Sequence, residues 1–360
     1  MRTAIVSTCL CASLLSACSE GDSVGRFGDD GTRPIPLRYG SVMVEACLLD
    51  PWQTQTLTGG SARRVIRDVV LVCPAIRSSG VVYPEETTVR ATLSDQVDIL
   101  RKLGYSVRFA VTLRDEFDWA FPAYRVGELL DNVTWRATAI KNLAPLAAMS
   151  DGLDLDFQRV RDSSAVSLTA FANELAASRP GISLGLFAPP SVTDPSDLSG
   201  ASAYDIASLS AVVDRIRVMT LDFSSGGSGG PGIDTGWAVD AVRLARSKVS
   251  RAGVRVDATY PLFGTDFSND GERSIGVLEA KAIATITKAT LSRGPTGTLH
   301  FTWIDLTAVE HNTWYDDTTS TLWGLSAWDT ATLPSDVGVG FYGLGAEDPT
   351  LWDSLARGMR

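Results

Sequence analysis

Short apolar runs alternate along this chain with longer stretches in which apolar side chains recur every three or four positions, the pattern of strands alternating with helices in a parallel sheet. Strands are predicted at Ser41–Leu48, Val69–Ile76, Ser106–Leu113, Asp151–Gln158, Ile182–Phe187, Arg215–Phe223, Val254–Phe263 and Val337–Leu344. Helices are predicted at Ser94–Leu103, where Val97, Leu100 and Leu103 share a stripe, at Trp135–Ala148 and at Trp237–Lys248. Another is predicted at Leu168–Ala177, with Leu168, Phe171, Ala172 and Leu175 on one side. Pro189-Pro190 ends the fifth strand. Eight strands with helices between them predict an α/β fold, a (β/α)8 TIM barrel. Residues from about 265 to 335, between strands seven and eight, exceed what one connecting helix needs. They are expected to form a small α+β insertion along one wall of the cleft, with a helix at Leu278–Leu291 and strands at Thr298–Ile304 and Thr313–Asp316. No fixed-period repeat is visible.

The fourth strand carries the candidate chemistry. Side chains alternate between strand faces, so Gly152, Asp154, Asp156 and Gln158 share one face and Leu153, Leu155 and Phe157 the other. Active groups of such barrels sit at the carboxyl ends of the strands, which puts Asp156 and Gln158 at the mouth. Two inward carboxylates this close are costly to keep without a purpose. That purpose is either a site or a buried network supporting the barrel. The Gly/Ser-rich loop Ser224–Gly232 lacks the Lys-Ser/Thr of a phosphate-binding loop and reads as a flexible connection. His300 and His311 are the two histidines, with no Cys or His at ligand spacing, so no metal, no cofactor and no Ser-His-Asp relay is expected.

Composition and the first residues change where the chain is expected to work. Arg2, the apolar run Ala4–Leu15 and Leu15-Ser16-Ala17-Cys18 read as an exported protein's signal peptide over residues 1–17. The tetrapeptide resembles a bacterial lipobox, which implies lipidation of Cys18 and a membrane tether in the cell envelope. Residues 18–38, rich in Gly, Asp, Ser and Pro, are expected to be a flexible tether, and 39–360 the barrel domain. Loss of residues 1–17 removes only Arg2 among charged residues, moving the net charge from −10 to −11 and arguing against a nucleic-acid partner. Two cysteines then remain besides Cys18: Cys47 and Cys73 either pair or sit as buried thiols on neighbouring strands.

From about Leu93 to Leu355 the chain resembles the family 18 glycoside hydrolases, the chitinase-like barrels, and within them the bacterial branch that cuts peptidoglycan in spore coats and cell walls. The resemblance rests on Asp151 to Gln158, Met219-Thr220-Leu221-Asp222, Tyr260-Pro261-Leu262-Phe263-Gly264 and Gly338-Val339-Gly340-Phe341-Tyr342, in the family's order. In active members the first motif ends in a Glu that protonates the glycosidic oxygen, while the Asp two residues before it steadies the substrate's acetamido group. Asp156 matches that helper and Gln158 stands in the acid's place. A carboxamide has no proton to give near neutral pH, and loss of a positioned general acid costs about 100- to 10,000-fold in rate. It still hydrogen-bonds a sugar oxygen. Leu221 replaces the Tyr that binds the acetamido group, and Tyr342 replaces the Trp beneath the sugar.

The resemblance therefore implies Asp154, Asp156 and Gln158 as a degenerate catalytic set and Met219, Asp222, Tyr260 and Tyr342 as substrate-binding residues. The implied protein is a pseudoenzyme that binds chitin or peptidoglycan glycan strands. Two alternatives remain: an active hydrolase whose proton comes from another carboxylate such as Asp222, Asp266 or Glu310, or a barrel recruited to bind a protein. Trp119, Trp237, Trp303 and Trp314 either form sugar-stacking subsites or belong to the core.

Overall fold

The computed structural model describes residues 40–357 except 86, 116, 118–119, 194–199, 225–228 and 331–336. The predicted signal peptide, Cys18 and the tether lie outside the described residues.

Eight parallel strands close into a barrel: β1 (Gly40–Val44), β2 (Ile66–Ile76), β3 (Ser106–Leu113), β4 (Gly152–Asp156), β5 (Ser183–Ala188), β6 (Arg215–Val218), β7 (Arg255–Pro261) and β8 (Val337–Tyr342). Closure is made by β1, which pairs in parallel with both β8 and β2. Outward side chains of the strands pack under the helices in one core, where Leu153, Leu155 and Phe157 meet Leu168, Phe171 and Leu175 of helix Ala165–Ser178. The helix Thr87–Lys102 buries Leu93, Val97 and Leu100 on one stripe.

Where elements differ from the sequence expectation, a local cause is visible. The single helix expected at Trp135–Ala148 is two, Val133–Asn142 and Ala144–Met149, divided where Pro145 enters the second and can donate no backbone hydrogen bond to the first. A further helix, Ala123–Asp131, precedes them. The sixth strand ends at Val218 rather than Phe223, so Met219 to Phe223 form a loop over the barrel mouth. Asp222 in that loop has φ 61°, which no strand accommodates.

The barrel interior is layered. Its lower layer is charged: Arg217 of β6 donates to Asp154 (3.0 Å), to Ser41 (2.6 Å) and to Asp257 (3.3 Å), while Arg108 of β3 holds Asp154 from the other side and Arg215 pairs with Asp68 (2.6 Å). Gly152 and Gly185 make room for this layer, since a Cβ at either would collide with the Arg108 guanidinium or the Asp154 carboxylate. Above it lies an apolar layer of Met43, Val70, Val72, Ala110, Phe187, Leu221 and Tyr342.

Between β7 and β8 the chain leaves the barrel and builds a five-stranded antiparallel sheet from Gly264–Ser268, Gly271–Ile275, Ser292–Arg293, Leu299–Ile304 and Glu310–Tyr315, covered by helix Val277–Thr287. Cys47, three residues past β1, is disulfide-bonded to Cys73 in β2 with their Cα atoms 5.0 Å apart, which settles the choice between a bridge and two thiols. Among the described residues no helix is long and apolar enough to cross a membrane.

Candidate functional site

A cleft of about 580 Å³ opens at the carboxyl ends of β4, β5 and β6. Asp156, Gln158, Met219, Leu221 and Asp222 line it together with Phe187, Tyr204 and Trp237. Asp156 ends β4, and Gln158 follows in the turn that leaves it, exposed at the mouth. The Gln158 carboxamide reaches the Asp156 Oδ1 at 3.5 Å, the outer limit of a hydrogen bond. The other oxygen, Oδ2, is buried without a partner. Burial pushes the Asp156 carboxyl up to about 6, a rise to which the charges of Glu45 and Asp154 add and which Gln158 and Arg114 oppose.

Asp154 lies only two residues away and has the opposite environment. Burial alone would raise its carboxyl, but Arg108 and Arg217 outweigh that and hold it well below the usual range. Arg108 donates to its Oδ1 through Nε (2.9 Å) and Nη2 (2.6 Å), and Arg217 to its Oδ2. Asp154 thus belongs to the charged layer beneath the cleft, which corrects its placement among groups that meet a substrate.

Tyr260 is a second correction. On β7 it shares parity with Val256 and Ala258, faces the helix layer, packs edge-on against Trp328 and donates to Asp316 (3.0 Å). Inward positions on that strand go to Arg255 and Asp257, engaged in the charged layer, and to Thr259, whose hydroxyl is buried without a partner. Phe263, just past the strand, meets Tyr342 at 6.4 Å instead.

Tyr342 ends β8 in the apolar layer, and its hydroxyl donates to Glu45 Oε1 at 2.6 Å. Burial first, then the Glu45 and Asp156 charges, push the phenol far up. Glu45 is a site residue the sequence reading missed. Its parity with Ser41 and Met43, both facing into the barrel, places it at the rim of the mouth. The same alternation that located Asp156 marks it.

Enclosure by the cleft walls raises the Asp222 carboxyl, with Glu272 of the small sheet and Glu45 adding repulsion. Arg159 and Asp222 both line the cleft at positive φ, 58° and 61°, conformations that cost on the order of 1–3 kcal/mol each and persist where surrounding structure enforces them. Of the other carboxylates considered as proton donors, Asp266 is enclosed in the small sheet by Thr313, His311 and Arg273, and Glu310 is exposed at that sheet's turn. Neither lines the cleft. Trp237 does, against Phe223 at 5.3 Å, whereas Trp303 and Trp314 stack on His311 and His300 within the small sheet. Trp119 lies outside the described residues.

Solved structures share this architecture. The spore cortex-lytic enzyme SleL of Bacillus cereus is 16% identical, with 89% of this chain and 74% of that one covered at a TM-score of 0.72. This is a chitinase-like glycoside hydrolase fold. A chitinase of Chromobacterium violaceum is 18% identical, covering 88% of this chain and 98% of its own at a TM-score of 0.70. A class V chitinase mutant of Cycas revoluta, solved with (GlcNAc)3, is 13% identical over 89% and 99% of the two chains at 0.65. No family model matches the sequence, and no curated protein matches it either.

Proposed function

We propose that this chain is a lipid-anchored barrel of the cell envelope that binds N-acetylglucosamine-containing polysaccharide, chitin or peptidoglycan glycan, with its hydrolytic chemistry impaired. The observation that carries the reading is Gln158: a carboxamide stands at the cleft mouth beside Asp156, where the resemblance to family 18 calls for a carboxylic acid. An amide in that place binds a sugar oxygen and donates no proton to a leaving group. The complex of a chitinase of the same fold with (GlcNAc)3 supports the ligand class. Capture of the protein on insoluble chitin or purified peptidoglycan tests it, with retention expected on at least one. Retention on neither by folded protein removes the reading. An inert wild type that gains turnover of an aryl glycoside on Gln158→Glu, by about 100-fold or more, supports impairment; strong wild-type turnover sinks it.

One observation favours a second reading. Asp156 has a carboxyl raised to about 6 and a buried oxygen without a partner, so a proton is present there at mildly acidic pH. Hydrolysis through Asp156 predicts wild-type turnover that Asp156→Asn abolishes and Gln158→Glu leaves nearly unchanged.

The anchor rests on Leu15-Ser16-Ala17-Cys18. Expressed in a bacterium, the wild type is expected in the membrane fraction and Cys18→Ala released from it; identical fractionation of the two refutes the anchor.

A further inference from the structure

We propose that the barrel mouth selects a cationic amino sugar, a glucosamine unit without its acetyl group within a polymer of N-acetylglucosamine, and holds its ammonium among Glu45, Asp156 and Asp222. The inference rests on the carbohydrate-binding reading above and names the sugar that reading leaves open.

Two carboxylates, Asp156 and Asp222, line the cleft, Glu45 stands at its rim bonded to Tyr342, and Glu272 acts on Asp222 from the small sheet. Glu45 follows β1, Asp156 ends β4, Asp222 follows β6, and Glu272 comes from the hairpin strand Gly271–Ile275 of the small sheet. Their fields overlap: Glu45 acts on both Asp156 and Asp222, and Glu272 acts on Asp222. Arg114 acts on Asp156 and on Tyr342, and Arg159 lines the cleft. Among these described residues, four carboxyl groups face two guanidiniums, a negative balance.

Charge alone does not make a site, and the decisive feature is Asp156. It is 2% exposed, it lines the cleft, and its Oδ2 is buried with no hydrogen-bond partner. Its other oxygen has only the 3.5 Å contact to Gln158. Buried carboxylate oxygens are normally satisfied, and an orphan at the base of a cleft calls for a donor from outside the chain. An ammonium is all donor, with three N–H groups and no lone pair to oppose a carboxylate. It also offsets the burial, and after it the mutual repulsion, that raise the Asp156 and Asp222 carboxyls.

The Tyr342 hydroxyl donates to Glu45 at 2.6 Å, which fixes the position of that side chain at the rim. Beneath the acidic rim, Phe187, Leu221 and Met219 offer an apolar floor for the face of a pyranose ring. A sugar bearing its own carboxylate meets repulsion from the same rim.

Titration calorimetry of the whole chain with the hexamers of glucosamine and of N-acetylglucosamine tests the proposal. The glucosamine hexamer is expected to bind about ten-fold tighter or more at low ionic strength, with the advantage shrinking as salt is added. Glu45→Gln and, separately, Asp222→Asn are expected to reduce that advantage of the glucosamine hexamer over the acetylated one. Asp240→Asn removes the same charge from the outer helix Thr235–Ser247, where Asp240 is exposed, and leaves the preference intact. Equal affinity for the two hexamers, or tighter binding of the acetylated one, overturns the proposal and leaves the carbohydrate reading standing. A loss on Asp240→Asn as large as on Glu45→Gln assigns the preference to bulk charge and also overturns it. Binding of neither hexamer removes the carbohydrate reading itself.

Discussion

Asp154 and Asp156 stand two residues apart on one face of β4, and their surroundings drive their carboxyl groups in opposite directions. One is clasped by two guanidiniums; the other has an amide at 3.5 Å and an unpaired oxygen. The alternation that turns both inward is local and legible in the sequence. Which of them meets a ligand is not, because it depends on Arg108 and Arg217, which arrive from β3 and β6. The difference has a measurable consequence. With a folded value of about 6 against an ordinary 3.8, Asp156 holds its proton more tightly in the folded state. Its contribution to stability is full below the unfolded value and is lost as pH rises through the interval between the two. Asp156→Asn removes that loss. Relative to wild type, the variant is therefore expected to gain stability between about pH 3.5 and about pH 7.5, on the order of 3 kcal/mol. Urea unfolding of both proteins at the two pH values measures it, and a difference that does not change with pH contradicts the assignment.

At the scale of elements, the charged layer ties the lower ends of the barrel strands together. Arg217 alone joins β6 to β4, β1 and β7 through Asp154, Ser41 and Asp257. Removing one member of such a group leaves uncompensated charge in the interior, so Arg217→Met is expected to cost about 3–5 kcal/mol. Denaturant titration at neutral pH reads this; a loss below about 1 kcal/mol, the worth of an exposed pair, would show that the layer is solvated. The helices were legible as stripes, since a 3.6-residue period is written in neighbouring positions, as in Leu168, Phe171, Ala172 and Leu175. Element ends were less so. The sixth strand stops at Val218 because the following residues turn over the mouth, bonded through Thr220 to the Thr259 carbonyl of β7. Tyr260 shows a different limit. Its outward position follows from the parity of Arg255, Asp257 and Thr259, a signal present in the sequence but overridden by motif resemblance.

The whole molecule joins a closed barrel to a side sheet across specific contacts. Tyr260 of β7 donates to Asp316 just past the last strand of that sheet, and the Cys47–Cys73 bridge ties the exit of β1 to β2. By itself the sequence determined the strand and helix alternation, the inward face of β4 and the presence of an amide where the resemblance calls for an acid. Each of these is set by neighbouring residues, through side-chain period or side-chain chemistry. Only the tertiary structure decided that Asp154 supports the barrel, that Tyr260 faces the helices, and that Glu45 joins Tyr342 at the mouth. Those positions depend on residues as far apart as 45 and 342 meeting through barrel closure, a juxtaposition no local pattern encodes.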